Sequence, residues 1–170
     1  MGVTHGPLWT LEDEYSMQFD GTDDSITTGL DCSSATHPDI SVSCWLKVNS
    51  HSGIQFPVGV ECTNSHYISL GLLNGGTIYY KANDVWVSGG SVADGNWHNV
   101  IWTFSYNNPT SDDMTVKVYK DGNTTPVIDT VDNTYQLPAL TGNLFIGSEE
   151  GTSWYFNGEV DEVGVWDRIL

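Results

Sequence analysis

The sequence predicts an all-β protein, an antiparallel sandwich or barrel, and three observations carry that prediction. Apolar residues recur at every second position along much of the chain, the period of a strand with one face in a core. Turn sequences such as "NGG", "SGG", "ADGN" and "KDGN" interrupt these runs at short intervals. The i, i+3, i+4 spacing of amphipathic helices is nearly absent. Many short strands without helices must bury their apolar faces against a second sheet or by closing on themselves.

Taken in order, residues 1–15, "MGVTHGPLWTLEDEY", read as a lead-in, and the sandwich domain is expected over 16–170. The lead-in has neither the basic start nor the apolar run of a signal peptide. "ISVSCWLKV" alternates cleanly, with Ile40, Val42, Cys44, Leu46 and Val48 facing one way and Ser41, Ser43, Trp45 and Lys47 the other. "HYISLGLL", "TIYYKA" and "VWVS" supply shorter strands. "WHNVIWTF" sets His98, Val100, Trp102 and Phe104 on one side. The stretch 105–113, "SYNNPTSDD", is the expected long exposed loop. "TVKVYKDGN" alternates Val116 and Val118 against Lys117 and Tyr119 and stops at an Asp121-Gly122 turn. In the closing "FNGEVDEVGVW" the apolar set changes parity, from Val160 to Val163 and Val165. If all three face the core, one extra residue is accommodated near 161–162, as a β-bulge does. The chain ends without a polar tail, which suits a domain of a larger protein.

Charge narrows the partners. Twenty-two acidic residues against five basic ones give a net charge of −17. Binding to nucleic acid draws its affinity from Lys and Arg that release counterions, so a nucleic-acid partner is not expected. An anionic membrane surface is disfavoured on the same ground, and no run approaches the ~20 apolar residues of a membrane span. Such acidity suits divalent cations, solubility or salt-rich surroundings. The three cysteines lack metal-type spacing and make no disulfide framework. Cys44 is expected to be a small buried hydrophobe, while pairing of Cys32 with Cys62 is not legible from sequence.

Among the aromatics, Trp102 and Phe104 lie in phase with Val100 and are expected in the core. Trp45 faces away from the apolar set of its strand. It either covers a second, partly buried face or sits on a binding surface, and covering loops make the first the expectation. Trp86, Trp154 and Tyr155 stand beside Gly- and Ser-rich loops and are candidates for a stacking platform for sugar rings, whose C–H faces are apolar. His98 is expected to be a packed, hydrogen-bonded imidazole. No Ser-His-Asp arrangement, phosphate-cradling loop or zinc spacing is present.

Five segments together resemble a known family. "SMQFDGTDDSITTG", "ISVSCWLKV", "DGNWHNVIWTFS", "VKVYKDGN" and "LFIGSEEGTSWYFNGEVDEVGVWDRIL" occur in the order found in laminin G-like domains of the concanavalin A-like lectin/glucanase superfamily. The resemblance covers about residues 16–170. It implies a two-sheet jelly roll, a carbohydrate-binding role and a structural calcium ion. It does not by itself imply catalysis, because the fold hosts lectins and hydrolases alike.

The same resemblance frames the acids. Glucanases of the superfamily carry E-x-D-x-x-E or E-x-D-x-E on one strand, with the outer carboxylates ~5 Å apart. Here Glu159 and Asp161 are followed by Val163 and Gly164 where the third acid belongs, so no catalytic residue is assigned. In the superfamily a structural ion commonly joins the opening F-D-G segment to the aspartate of the closing strand. Carried over residue by residue, that gives Asp20, Gly21 through its carbonyl, and Asp161, with Asp23 as a further ligand. A second ion at the loop rim would use Glu149 and Glu150, with Asp112, Asp113 or Asn64. The expected partners are a glycan or glycosylated surface, in an extracellular setting or on a virion surface. The rival readings are a decoration or fibre protein of a virus particle, contacting other virion or cell-surface proteins, and a polysaccharide hydrolase or lyase.

Overall fold

The structure, a computed structural model, describes residues 15–31, 39–48, 52–60, 68–82, 85–108, 113–132, 143–149, 151 and 153–170. Among these, all regular structure is strand and none is helix. The strands are β1 Met17–Asp20, β2 Ile26–Asp31, β3 Asp39–Lys47, β4 Gln55–Val60, β5 Ile68–Leu73 and β6 Thr77–Ala82. They continue as β7 Val85–Ser91, β8 Trp97–Asn108, β9 Asp113–Lys120, β10 Ile128–Asp132, β11 Asn143–Ile146 and β12 Asn157–Trp166. They form two six-stranded antiparallel sheets. The front sheet runs β1-β12-β3-β8-β9-β10 and the back sheet β2-β11-β4-β5-β6-β7. This is the predicted two-sheet jelly-roll sandwich. The first and last strands are neighbours, paired from Met17 with Val160 to Asp20 with Asn157. β8 and β9 run through 105–108 and from 113, so the expected loop is shorter than the sequence suggested.

Alternation along three central strands makes the core. Val42, Cys44 and Leu46 of β3 lie opposite Trp102, Val100 and His98 of β8. Trp102 and Phe104 in turn oppose Val118 and Val116 of β9. All the apolar members of this set are buried and meet Val58, Leu70, Leu72, Ile78 and Tyr80 from the back sheet. Each such side chain contributes about 1.5–3 kcal/mol when fully buried. Cys44 is free and completely buried, and burial pushes its thiol up, away from reactivity. Cys32 and Cys62 lie outside the described residues.

His98 sits at the end of this core as an anchor, as the sequence suggests. Its Nε2 lies 2.9 Å from Asp94 Oδ1 and its Nδ1 2.9 Å from Asp121 Oδ2. The Asn96 amide first, and His98 second, hold the Asp94 carboxyl at about 2. The Asn99 amide donates to Asp121 as well. The turn before β8 and the turn after β9 are thereby tied together.

The back sheet is covered on its outer side. Residues 147–149, 151 and 153–156 lie over it, with the Phe56 amide donating to the Trp154 carbonyl and the Gly147 amide to the Pro57 carbonyl. Two glycines make room. A Cβ on Gly59 would lie 2.3 Å from the Glu149 carbonyl oxygen, and one on Gly71 2.2 Å from the Tyr79 ring. Phe56, Tyr79 and Phe145 are buried outside the main core cluster. Phe56 packs edge-on against both Tyr79 and Trp154.

Candidate functional site

The front sheet's outer face carries a groove built by three alternations. On β3, Trp45 and Lys47 point away from the core because Cys44, Leu46 and Val48 point into it. On β12, Glu159 and Asp161 flank buried Val160, and on β8, Trp97 and Asn99 flank His98. Sheet order places β3 between the other two. The register then aligns Glu159–Lys47–Trp97 on one rung and Asp161–Trp45–Asn99 on the next, about 7 Å along the strands. The groove encloses about 460 Å³ between Tyr15, Ser16, Trp45, Trp97, Glu159, Asp161 and Glu162. That volume is within the ~300–1,000 Å³ typical of ligand pockets. Trp45 and Trp97 keep 38% and 37% of their surface in solvent.

The expected bulge shapes its rim. Pairing of β12 with β3 slips between Asp161 and Gly164, and Glu162 takes a positive φ of 46°. Asp161 Oδ1 accepts the Glu162 amide at 2.7 Å. Both acids therefore line the groove, while Val163 and Val165 return to pack on the core.

Electrostatics divide the three carboxylates. Lys47 Nζ donates to Glu159 Oε1 at 2.8 Å, and Ser16 Oγ donates to Glu159 Oε2 at 2.8 Å. The Lys47 contact first, and Ser16 second, hold the Glu159 carboxyl below its ordinary value. Lys47 Nζ also lies 5.7 Å from the Trp97 ring centroid. Asp161 and Glu162 form no ion pair with any described residue. Two solvent-facing indoles are suited to stacking on a sugar ring, and the carboxylates beside them to accepting hydrogen bonds from its hydroxyls.

The acids of the opening turn meet differently from the expectation. Carboxylate oxygens of Asp20, Asp23 and Asp24 all lie within 4.8 Å of one another. Asp20 Oδ1 accepts the Thr22 amide at 2.7 Å and Asp24 Oδ2 accepts the Asp20 amide at 3.0 Å. Gly21 holds the turn at φ +80° against the Asn157 side chain, whose Nδ2 donates to the Asp20 carbonyl at 3.1 Å. Asp161 is not part of this group. Asp20 pairs with Asn157, and Asp161 stands four residues further along β12, about 13 Å away. The set Asp20, Gly21 and Asp161 is therefore not assembled. Asp24, which sequence reasoning passed over although it stands in "FDGTDD", takes the place given to Asp161.

The candidate stacking residues lie on the opposite sheet from the groove. Trp154, 42% exposed, belongs to the segment over the back sheet and has φ +57°. Tyr155 is half-buried and its hydroxyl donates to the Gly151 carbonyl at 3.3 Å. Glu149, expected on a solvated rim, is instead 3% exposed. Burial first, and the Glu149 charge second, push the Tyr79 hydroxyl up. Trp86 lies in β7 opposite Lys81, with its side chain outside the described residues. Glu150, Asn64, Asp112 and the Asp113 side chain are outside them too. The cover expected over Trp45 lies on the back sheet, and Trp45 faces the groove.

A family model of the laminin G type, described as the concanavalin A-like lectin/glucanases superfamily, matches residues 20–170. No curated protein matches the chain by sequence. Among solved structures, a heptameric SAP-like pentraxin from Limulus polyphemus is 20% identical, with TM-score 0.56 over 90% of this chain and 76% of that one. The CBM40 of the Ruminococcus gnavus IT-sialidase, solved bound to α2,3-sialyllactose, is 13% identical. Its TM-score is 0.56 over 92% of this chain and 93% of that one. A Trypanosoma rangeli sialidase in complex with the inhibitor DANA is 13% identical, with TM-score 0.67 over 91% of this chain. The match spans 26% of that sialidase. At these identities the likeness is one of fold.

Proposed function

The chain belongs to the concanavalin A-like lectin/glucanases superfamily, and from that premise we propose that it is a non-catalytic carbohydrate-binding module. The observation that carries the reading is the front groove, where Trp45 and Trp97 stand exposed beside Asp161 and Glu162. A sugar ring stacks on an indole while its hydroxyls donate to the carboxylates. The CBM40 neighbour, solved with a bound sialyl sugar, supports a glycan as the ligand class. The test is a glycan array. Saturable binding that Trp45→Ala weakens in a folded protein is expected, and a clean array, or binding indifferent to Trp45, overturns the reading.

A second reading, a polysaccharide hydrolase, draws on one observation: Glu159 and Asp161 line the same groove. Against it, Lys47 and Ser16 occupy both Glu159 oxygens and stabilise its ionised form. Such a carboxylate suits only the nucleophile's role, and the place of the partner proton donor in the glucanase pattern is filled by Val163 or Gly164. We expect no reducing ends from β-glucan. Release of such ends, lost in Glu159→Gln, would establish the hydrolase instead.

Calcium is the proposed structural ion, at Asp20, Asp23 and Asp24. The donor set fits: hard oxygen ligands, three carboxylates, and repulsion among them that a divalent cation relieves. The ion would stiffen the turn leaving β1. A chelator is expected to lower Tm, and identical melting with calcium and with chelator would remove the ion from the account.

A further inference from the structure

We propose that the front groove selects saccharides bearing a protonated amine, such as oligomers of glucosamine, over neutral sugars and over sialylated or uronate-containing glycans. This rests on the glycan-binding reading and narrows it to a charge class.

The charge of the groove is unbalanced. Three carboxylates line the groove, and the chain offsets one of them, Glu159, with Lys47. Asp161 and Glu162 have no cation of the described chain beside them, so the groove faces a ligand with two negative charges. The chain as a whole, at −17, adds a field of the same sign. A carboxylated sugar entering there meets repulsion and no guanidinium or ammonium to receive it. An ammonium meets the reverse.

The aromatic rings point the same way. The face of an indole attracts a cation, and Lys47 already holds its ammonium 5.7 Å from the Trp97 ring. Trp45 lies directly across from Asp161 in the ladder, which sets their Cβ atoms about 5 Å apart. A sugar ring stacked on Trp45 thus carries its substituents to the Asp161 carboxylate. A charged amine on that ring gains an ion pair and a cation–π contact that a hydroxyl or an acetamide does not.

The test is calorimetric titration in mildly acidic buffer, where the amine is protonated. The probes are β-linked oligomers of glucosamine, of N-acetylglucosamine and of glucose, with sialyllactose as the anionic member. Glucosamine oligomers are expected to bind about tenfold tighter than the acetylated or neutral oligomers, as one cation–π contact and exposed ion pairs supply. Sialyllactose is expected to bind weakest. The double variant Asp161→Asn, Glu162→Gln, checked for an unchanged melting curve, is expected to bring the amine-bearing and neutral affinities together. If the double variant melts differently, a wild-type titration in raised salt takes its place and is expected to narrow the gap. Equal or tighter binding of the neutral oligomers, or tighter binding of sialyllactose, overturns the charge preference. If that binding is lost in Trp45→Ala, the glycan reading stands without it. Failure of every probe to bind overturns both.

Discussion

Replacing Glu159 by Gln removes one charge, keeps the side chain's shape, and so isolates what the Lys47 pair contributes. The pair is close, at 2.8 Å, yet its two side chains keep 30% and 23% of their surface in solvent. That exposure sets it among surface ion pairs, which stabilise by ~0.2–1 kcal/mol. Ser16 can still donate to the amide oxygen of the variant, so the expected loss at neutral pH is at most about 1 kcal/mol. For a chain of this size that is a fall in Tm of roughly 2–4 °C. The pH dependence has a definite sign. Lys47 and Ser16 hold the folded carboxyl below its unfolded value. Its contribution is therefore complete above the unfolded value and is lost as pH falls through the folded one. Thermal melts followed by circular dichroism should show the gap between wild type and E159Q widest at neutral pH and closed in strong acid. A gap that persists in acid, or a variant more stable than wild type at neutral pH, would refute this account of the pair.

Other outcomes follow from the same geometry. Trp45→Ala is expected to weaken glycan retention in a protein that still folds, with some fall in Tm because most of the side chain is covered by its neighbours. The exposed 38% of the ring, on a side chain of up to ~250 Å², is worth at most ~2.4 kcal/mol at ~25 cal/mol/Å², a ceiling of about sixtyfold. Gly59→Ala is expected to cost about 1–3 kcal/mol in urea denaturation, because its Cβ would drive into the backbone carbonyls of Glu149 and Ser148; a neutral result would mean that the covering segment is loose. Calcium at a hundredfold excess over its Kd is expected to add ~2.7 kcal/mol. Asp20→Asn with Asp23→Asn should abolish that gain in scanning calorimetry, and an undiminished gain would place the ion elsewhere.

How far the sequence reached depends on whether a feature is local. The bulge was legible because Val160, Val163 and Val165 break parity within six residues, and Glu162 takes up the extra place with a positive φ. The anchoring of His98 was legible because Trp97 and Asn99 put it in phase with Val100. The groove was not legible. Each alternation sends Trp45, Trp97 and Asp161 outward, but only the order β12-β3-β8 brings them onto one face. Register decided which candidate metal ligands meet: the β1–β12 ladder sets Asp20 opposite Asn157, and no local pattern reveals that offset from Asp161. The cover over the back sheet rests on Gly59 and Gly71 admitting a segment ninety residues away in one case and a ring across the ladder in the other, which a period-two pattern does not encode.

The proposed glycan site is the outer face of the front sheet. Seven tryptophans give indole N–H signals that a heteronuclear NMR titration with glucosamine oligomer follows one by one. The signals of Trp45 and Trp97 are expected to move together along one saturable curve, while buried Trp102 and back-sheet Trp154 hold still. Movement at Trp154 with Trp45 and Trp97 unchanged would put the ligand on the other sheet and contradict the claim.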